Sequence, residues 1–457
     1  MRRRDFLSAM AGVGAAGAFG RLASAEVAGP AAAYNGALRR TRPANTDATR
    51  RVLPVPPRNR RPYADIDWET VKEVHTSSHC HCTNQKMLDS YLKRGFEFLT
   101  LSNYYPSAPT MPIKTFRDRH YWVHHDFPVM LNGKRIKGPI DWTKIVGQWA
   151  DELKPERRAM LPFTEGELRF PNAPDNILEA PNAEHHWFTD RYCSLHLCAP
   201  GSAYASGTFD QGGGFKTFKH GYSWGCGEPV KTSIRRMIDA LIYPDGGGVT
   251  INHPSWSHHP DELIWDLLDF DPRVLGIEVY NMSKTYPWTN NNCEDYWDRT
   301  LSTGRQCFGF FVPDWGQVMG TNVLLVPEKT VHACLRAYRL GNWYGAIKGK
   351  GILRFTSIRF AGRQLKVSLD KPAHIQLITR RGISQWKNKA TDMSFTVSAG
   401  EEEKYGYLRV RAYALDGSEE VVYTQPMMLA QGPTMVAESD LTRSQLAEAG
   451  WSADGSM

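Results

Sequence analysis

The sequence predicts an α/β chain: a parallel α/β barrel followed by a small antiparallel β-sandwich. Two observations predict it. Seven short apolar runs between about 70 and 316 each lead to a residue able to bind a metal, and helix-like stretches separate most of them. From about 350 to 430 the pattern changes to strict alternation, as in Leu365-Lys366-Val367-Ser368-Leu369 and Tyr407-Leu408-Arg409-Val410-Arg411. In a parallel barrel the loops that follow the strands converge on one mouth, so strand-end residues far apart in sequence would share one pocket.

The 457 residues divide by composition. Residues 1–25 carry Arg2-Arg3-Arg4-Asp5-Phe6-Leu7, a short apolar stretch and Ala23-Ser24-Ala25. This is the pattern of a twin-arginine export signal, too short to anchor in a bilayer. The expectation is a chain exported by the twin-arginine machinery to the periplasm or beyond, with no stable membrane anchor. Residues 26–64, rich in Ala, Pro and Arg, read as a linker, with Arg58-Asn59-Arg60-Arg61 as a solvated basic run. The barrel is expected over 65–345, the β-module over 350–430 and a polar, loosely ordered tail over 431–457.

The formal charge is +7, and residues 1–25 hold four Arg and one Asp, leaving +4. No basic stripe or recognition motif accompanies that mild excess, so nucleic acid is excluded as a partner and a small-molecule substrate is expected. There are eight cysteines; export would allow some to oxidise, but a chain this large does not need a disulfide framework. His79-Cys80-His81-Cys82 lacks a second Cys/His pair at finger spacing.

The runs, in order, lead to His75 with His79 and His81 behind it, Asn103, Glu165, His196, His253, Glu278 and Asp314. Between them, helices are expected at Asn84–Arg94, Thr143–Leu153, Lys231–Tyr243, Asp261–Asp269 and Asn291–Thr303, with a further one at Glu328–Gly341. Gly95 and Gly304 close two of these helices. Two insertions interrupt the pattern, Tyr104 to about Lys144 and Ala199 to Pro229; the first contains the hairpin-turn sequence Leu131-Asn132-Gly133-Lys134. The adjacent pairs His124-His125, His185-His186 and His258-His259 are read as loop residues, because neighbours point apart. Trp224, Trp256, Trp288 and Trp315 fall in or after strand-end loops, where aromatics can stack on a substrate.

Imidazole with carboxylate suits zinc, manganese or iron, and such ions activate water and polarise a substrate oxygen. His75, His79, His81, Asn103, Glu165, His196, His253 and Asp314 are the candidate ligands, for one or two divalent ions. Glu165 and Asp314 are the candidates for catalysis, the first as a carboxylate bridging two metals and the second as a ligand that orients water. Glu278 and Asn281 are expected to brace the ligands. No G-x-S-x-G elbow supports serine chemistry.

In this order the motifs resemble those of the PHP (polymerase and histidinol phosphatase) metal-dependent hydrolases, in particular their carbaryl-hydrolase-like branch. Glu73-Val74-His75-Thr76-Ser77 stands at the first motif, Leu101-Ser102-Asn103-Tyr104 at the second and Pro162-Phe163-Thr164-Glu165 at the third. Leu195-His196-Leu197, Asn252-His253-Pro254, Ile277-Glu278-Val279-Tyr280-Asn281 and Pro313-Asp314-Trp315-Gly316 follow. The resemblance covers about 70–345. It implies a distorted (βα)7 TIM-like barrel and metal-dependent hydrolysis of an ester-type bond: phosphoester, carboxyl ester or carbamate. The family's pattern has His where Ser77 and Gly316 stand, and Asp and His at Asn103 and Tyr104. A second expectation is therefore a PHP-like barrel without catalysis that binds a ligand such as a glycan.

Overall fold

The computed structural model describes residues 57–82, 84–103, 113–117, 129–131, 134–136, 170–186, 188–192, 194–202, 204, 226, 229–257, 259–281, 292–314, 320–347 and 353–432. The export signal, most of the linker, Tyr104, Glu165, Gly316, the Thr143–Leu153 helix, His124-His125 and His258 lie outside them. So do Trp224, Trp288, Trp315 and nearly all of the tail.

In chain order the elements are β1 (Lys72–Thr76), α1 (Gln85–Lys93), β2 (Phe98–Leu99), β3 (Val129–Leu131), β4 (Lys134–Ile136), β5 (Leu178–Glu179), β6 (Glu184–His185), β7 (Leu197–Cys198), α2 (Val230–Asp239), β8 (Val249–Ile251), α3 (Pro254–Ser257), α4 (Asp261–Phe270), β9 (Val274–Asn281), α5 (Glu294–Ser302), β10 (Phe308–Val312), β11 (Gly320–Val326), α6 (Val331–Leu340), β12 (Trp343–Ile347), β13 (Phe355–Ala361), β14 (Gln364–Thr379), β15 (Gly382–Thr396), α7 (Glu402–Tyr405), β16 (Tyr407–Ala414), β17 (Val421–Thr424) and β18 (Met427–Met428). They fall into two compact units. Described residues from His79 to Ile242 make the first; those up to Ser78 and from Tyr243 onward make the second.

In the first unit α1 begins where Asn84 accepts a hydrogen bond from the Met87 amide, and it stops before Gly95, at φ +79°. Leu88 and Tyr91 face inward from it. The chain turns into β2, which pairs in parallel with β5. β3 and β4 pair antiparallel with Leu131 opposite Lys134; Asn132-Gly133 of the hairpin signal lies outside the described residues. β6 pairs antiparallel with β7, placing Glu184 opposite Cys198.

The second unit holds a parallel ladder, β8–β9–β10, in which all eight residues of β9 are buried. It also holds a nine-stranded sheet in the order β1-β11-β12-β17-β16-β14-β13, with β15 on β14 and β18 on β16. Its core gathers Val323, Tyr344, Ile358, Val367, Leu377, Val410 and Val422. Gly345 of β12 passes so close to β10 that a Cβ there would overlap the Phe311 ring.

The α/β character and the period-two strands are present. Two expectations change. No closed barrel forms among the described residues. β1 runs antiparallel to β11, with His75, one residue from its end, opposite Val323. The strands after 353 do not make a sandwich of their own; they continue the sheet that contains β1, β11 and β12. Of the basic run only Arg61 is exposed; Arg58 is buried and Asn59 and Arg60 are half-buried. The buried Arg58 guanidinium donates to the carbonyls of Leu268, Asp271 and Val274 through Nη1. Asn59 donates to Leu340 O, Arg60 to Gly304 O and Ala430 O, and Arg61 lies over the Phe360 ring. Carbonyls at helix and strand ends lack partners, and this arm supplies donors to them.

Candidate metal centre

His79 and His81 alternate with Cys80 and Cys82 in an extended segment, so the two rings share one side and the two thiols the other. The His79 and His81 Nε2 atoms stand 3.2 Å apart. Glu184 Oε2 lies 3.0 Å from the His81 nitrogen and 3.3 Å from that of His79. All three side chains are buried. Its other oxygen, Oε1, is 2.7 Å from His196 Nδ1.

The donor set fits a divalent cation. An imidazole nitrogen carries either a proton or a lone pair, so a single Nε2–H on His81 cannot serve both the His79 nitrogen and the Glu184 oxygen. A cation placed among the three satisfies every lone pair at once. Ligands on tetrahedral zinc, with bonds of about 2.0–2.1 Å, lie about 3.3 Å apart, close to the spacing found here.

The neighbouring groups are neutral at physiological pH. Burial drives the His185 imidazole down to about 3 and His186 well below its usual range, the nearby Glu184 opposing the effect in both. His185 stacks on Tyr204 and His186 lies beside His196. Burial also pushes the Cys80 thiol up to about 12 and Cys82 well above its ordinary value, so neither offers a thiolate. The described cysteines are all buried free thiols.

The second unit carries its own polar chain. Glu278 on β9 is fully buried; its Oε2 accepts from the His253 amide at 2.9 Å and from Asn281 Nδ2 at 2.7 Å. Asn281 Nδ2 also donates to Asp314 Oδ2 at 3.0 Å. His253 and Asp314 follow β8 and β10 with φ of +27° and +53°, a region non-glycine residues rarely occupy. Such strain collects at sites the surrounding structure holds in place for function. Cys293 Sγ donates to Ser255 Oγ at 3.1 Å, and burial raises that thiol to about 11.

Of the residues singled out in the sequence, His79, His81 and His196 converge on one carboxylate in the first unit. His253, Glu278, Asn281 and Asp314 form one hydrogen-bonded chain in the second. His75 belongs to no group of three metal-ligand types among the described residues. Asn103 accepts from the Cys82 amide and donates to its carbonyl. Glu165 lies outside the described residues. The Cys193–Leu195 run is not a strand leading to His196: Leu195 N closes a turn on Tyr192 O, and β7 starts after the histidine.

Glu184 is the residue that sequence reasoning missed, and His185 beside it lies in β6, not in a loop. The signal was there. Pro181-Asn182-Ala183-Glu184 repeats the Pro-x-x-carboxylate spacing of Pro162–Glu165, twelve residues before His196.

No family model and no curated protein matches the chain. Among solved structures, it is similar to a two-domain protein containing a predicted PHP-like metal-dependent phosphoesterase from Bacteroides vulgatus. Identity is 11%, the TM-score is 0.34, and the match covers 84% of this chain and 99% of that one.

Proposed function

We propose that the chain is an exported, metal-dependent hydrolase of ester-type bonds, working in the manner of the PHP hydrolases whose motif order it resembles. The observation that carries this reading is the convergence of His79 Nε2, His81 Nε2 and Glu184 Oε2 within 3.0–3.3 Å of one another. A divalent cation bound there, zinc, manganese or iron, lowers the pKa of water and polarises a substrate oxygen. Glu184 does two things at once, holding the cation site with one oxygen and fixing the His196 ring with the other. Burial of the neighbouring histidines and thiols keeps competing charge away. In the second unit Asn281 donates to the Asp314 carboxylate and fixes its orientation. The Arg2-Arg3-Arg4 leader supports export.

Two measurements test the reading. Protein purified after folding with zinc, manganese or iron available is expected to retain about one equivalent or more of metal. It is also expected to hydrolyse a chromogenic phosphate or carboxylate ester. Glu184→Gln lowers metal content and turnover together. Less than about a tenth of an equivalent of any of the three metals sinks the proposal. Full metal content with no turnover, and ligand binding that a chelator does not disturb, points instead to a protein that binds without catalysis.

A further inference from the structure

We infer that Asn103 is a positioning residue for the metal-binding histidines, not a ligand; the inference rests on the metal site proposed above. Asn103 is 1% exposed, and its carboxamide makes two bonds to one residue: Oδ1 accepts from Cys82 N at 2.7 Å and Nδ2 donates to Cys82 O at 2.8 Å. That is the pair of bonds a neighbouring strand's backbone would supply. One residue earlier, Ser102 Oγ accepts from Cys80 N at 2.9 Å, and Ser102 N donates to Cys80 O at 3.0 Å. From α1, the Tyr91 hydroxyl donates to His81 O at 2.7 Å. The backbone around both histidines is therefore tied at every second residue. This matters because extended chain has a side-chain period of two. A slip of one residue would exchange the imidazoles for the thiols of Cys80 and Cys82. An aspartate at 103 could accept from Cys82 N, but it would set a second carboxylate oxygen against Cys82 O. The amide is the side chain that both accepts and donates here.

The test uses the full mature chain with Asn103→Ala, Asn103→Asp and Tyr91→Phe. Zinc affinity is read by competition with a chromophoric chelator, the cobalt(II) absorption spectrum reports ligand geometry, and thermal unfolding is measured without metal. Groups that orient ligands typically change metal affinity 10–100-fold, so Asn103→Ala is expected to weaken zinc binding by about that factor and to shift the cobalt bands. Asn103→Asp is expected to bind more weakly than wild type, and Tyr91→Phe to weaken binding in the same direction. Tighter or equal binding by Asn103→Asp would make the residue a ligand and overturn the inference. So would an Asn103→Ala protein that melts earlier yet binds zinc and cobalt as wild type does. If Asn103→Ala does not fold, unchanged affinity in Tyr91→Phe, which keeps the ring's packing, overturns it. Wild-type protein that binds no metal, or Glu184→Gln that binds as well as wild type, refutes the metal site itself.

Discussion

Glu179 shows how one side chain can tie the first unit to pH. Its Oε1 accepts from the Ile113 amide at 2.6 Å, Lys114 Nζ stands 4.0 Å from Oε2, and burial raises the carboxyl to about 7. An acid with a raised folded-state pKa favours the native state below its unfolded pKa. That contribution fades as pH rises through about 7. Thermal stability should therefore fall between pH 5 and 8.5, by on the order of 2 kcal/mol. Glu179→Gln, which keeps the acceptor for Ile113, should flatten the slope and melt later than wild type at pH 8; unfolding curves across pH would expose the opposite result. At this scale the sequence was legible for residue types and less so for their roles. His79, His81, His196, His253 and Asp314 are visible as ligand types. Glu184 is not, because its partners come from segments more than a hundred residues before it and twelve after it. Arg58 and Arg60 read as solvent-facing cations because composition cannot show which carbonyls fold back to meet them.

Helices are the elements that pattern and caps predicted well. Asn84, Gly95, Gly304 and Gly341 mark ends that the chain observes, since capping is local chemistry. Strand partners are not local, and β1 joined an antiparallel sheet that its own residues do not announce. α5 is held to that sheet by a charged knot. Arg409, 1% exposed, donates to Asp298 and Glu294, stacks over Trp297, and shares Glu294 with Arg411. Removing one partner of a buried pair leaves the others uncompensated, so Arg409→Ala should cost about 3–5 kcal/mol. A triple replacement, Arg409→Met with Glu294→Gln and Asp298→Asn, should recover a large part of the loss. Denaturant melts of the single and triple variants distinguish this from a packing role, in which the triple would be no better. Gly345→Ala, which sets a methyl into the Phe311 ring, should destabilise by about 1–3 kcal/mol, read in the same melts.

For the whole molecule, the arm at residues 58–63 is the least expected structural part. Beyond the arginine contacts, Tyr63 OH donates to Trp343 O and accepts from Gln425 N, and its amide donates to Asn342 Oδ1. Truncation before Asp65 should lower the melting temperature of the second unit by well over the few degrees a disordered linker would cost. If export follows the twin-arginine route, Arg3→Lys with Arg4→Lys should leave full-length precursor in the cytoplasm, measured by fractionation. The buried sulfurs have a consequence for how the protein meets oxidants. Burial pushes the Cys80 thiol up to about 12 and so keeps it protonated at pH 7. The protein therefore presents almost no nucleophilic sulfur to an oxidant at this position. A preparation made without reductant should match one made with it in thiol titration and thermal melting.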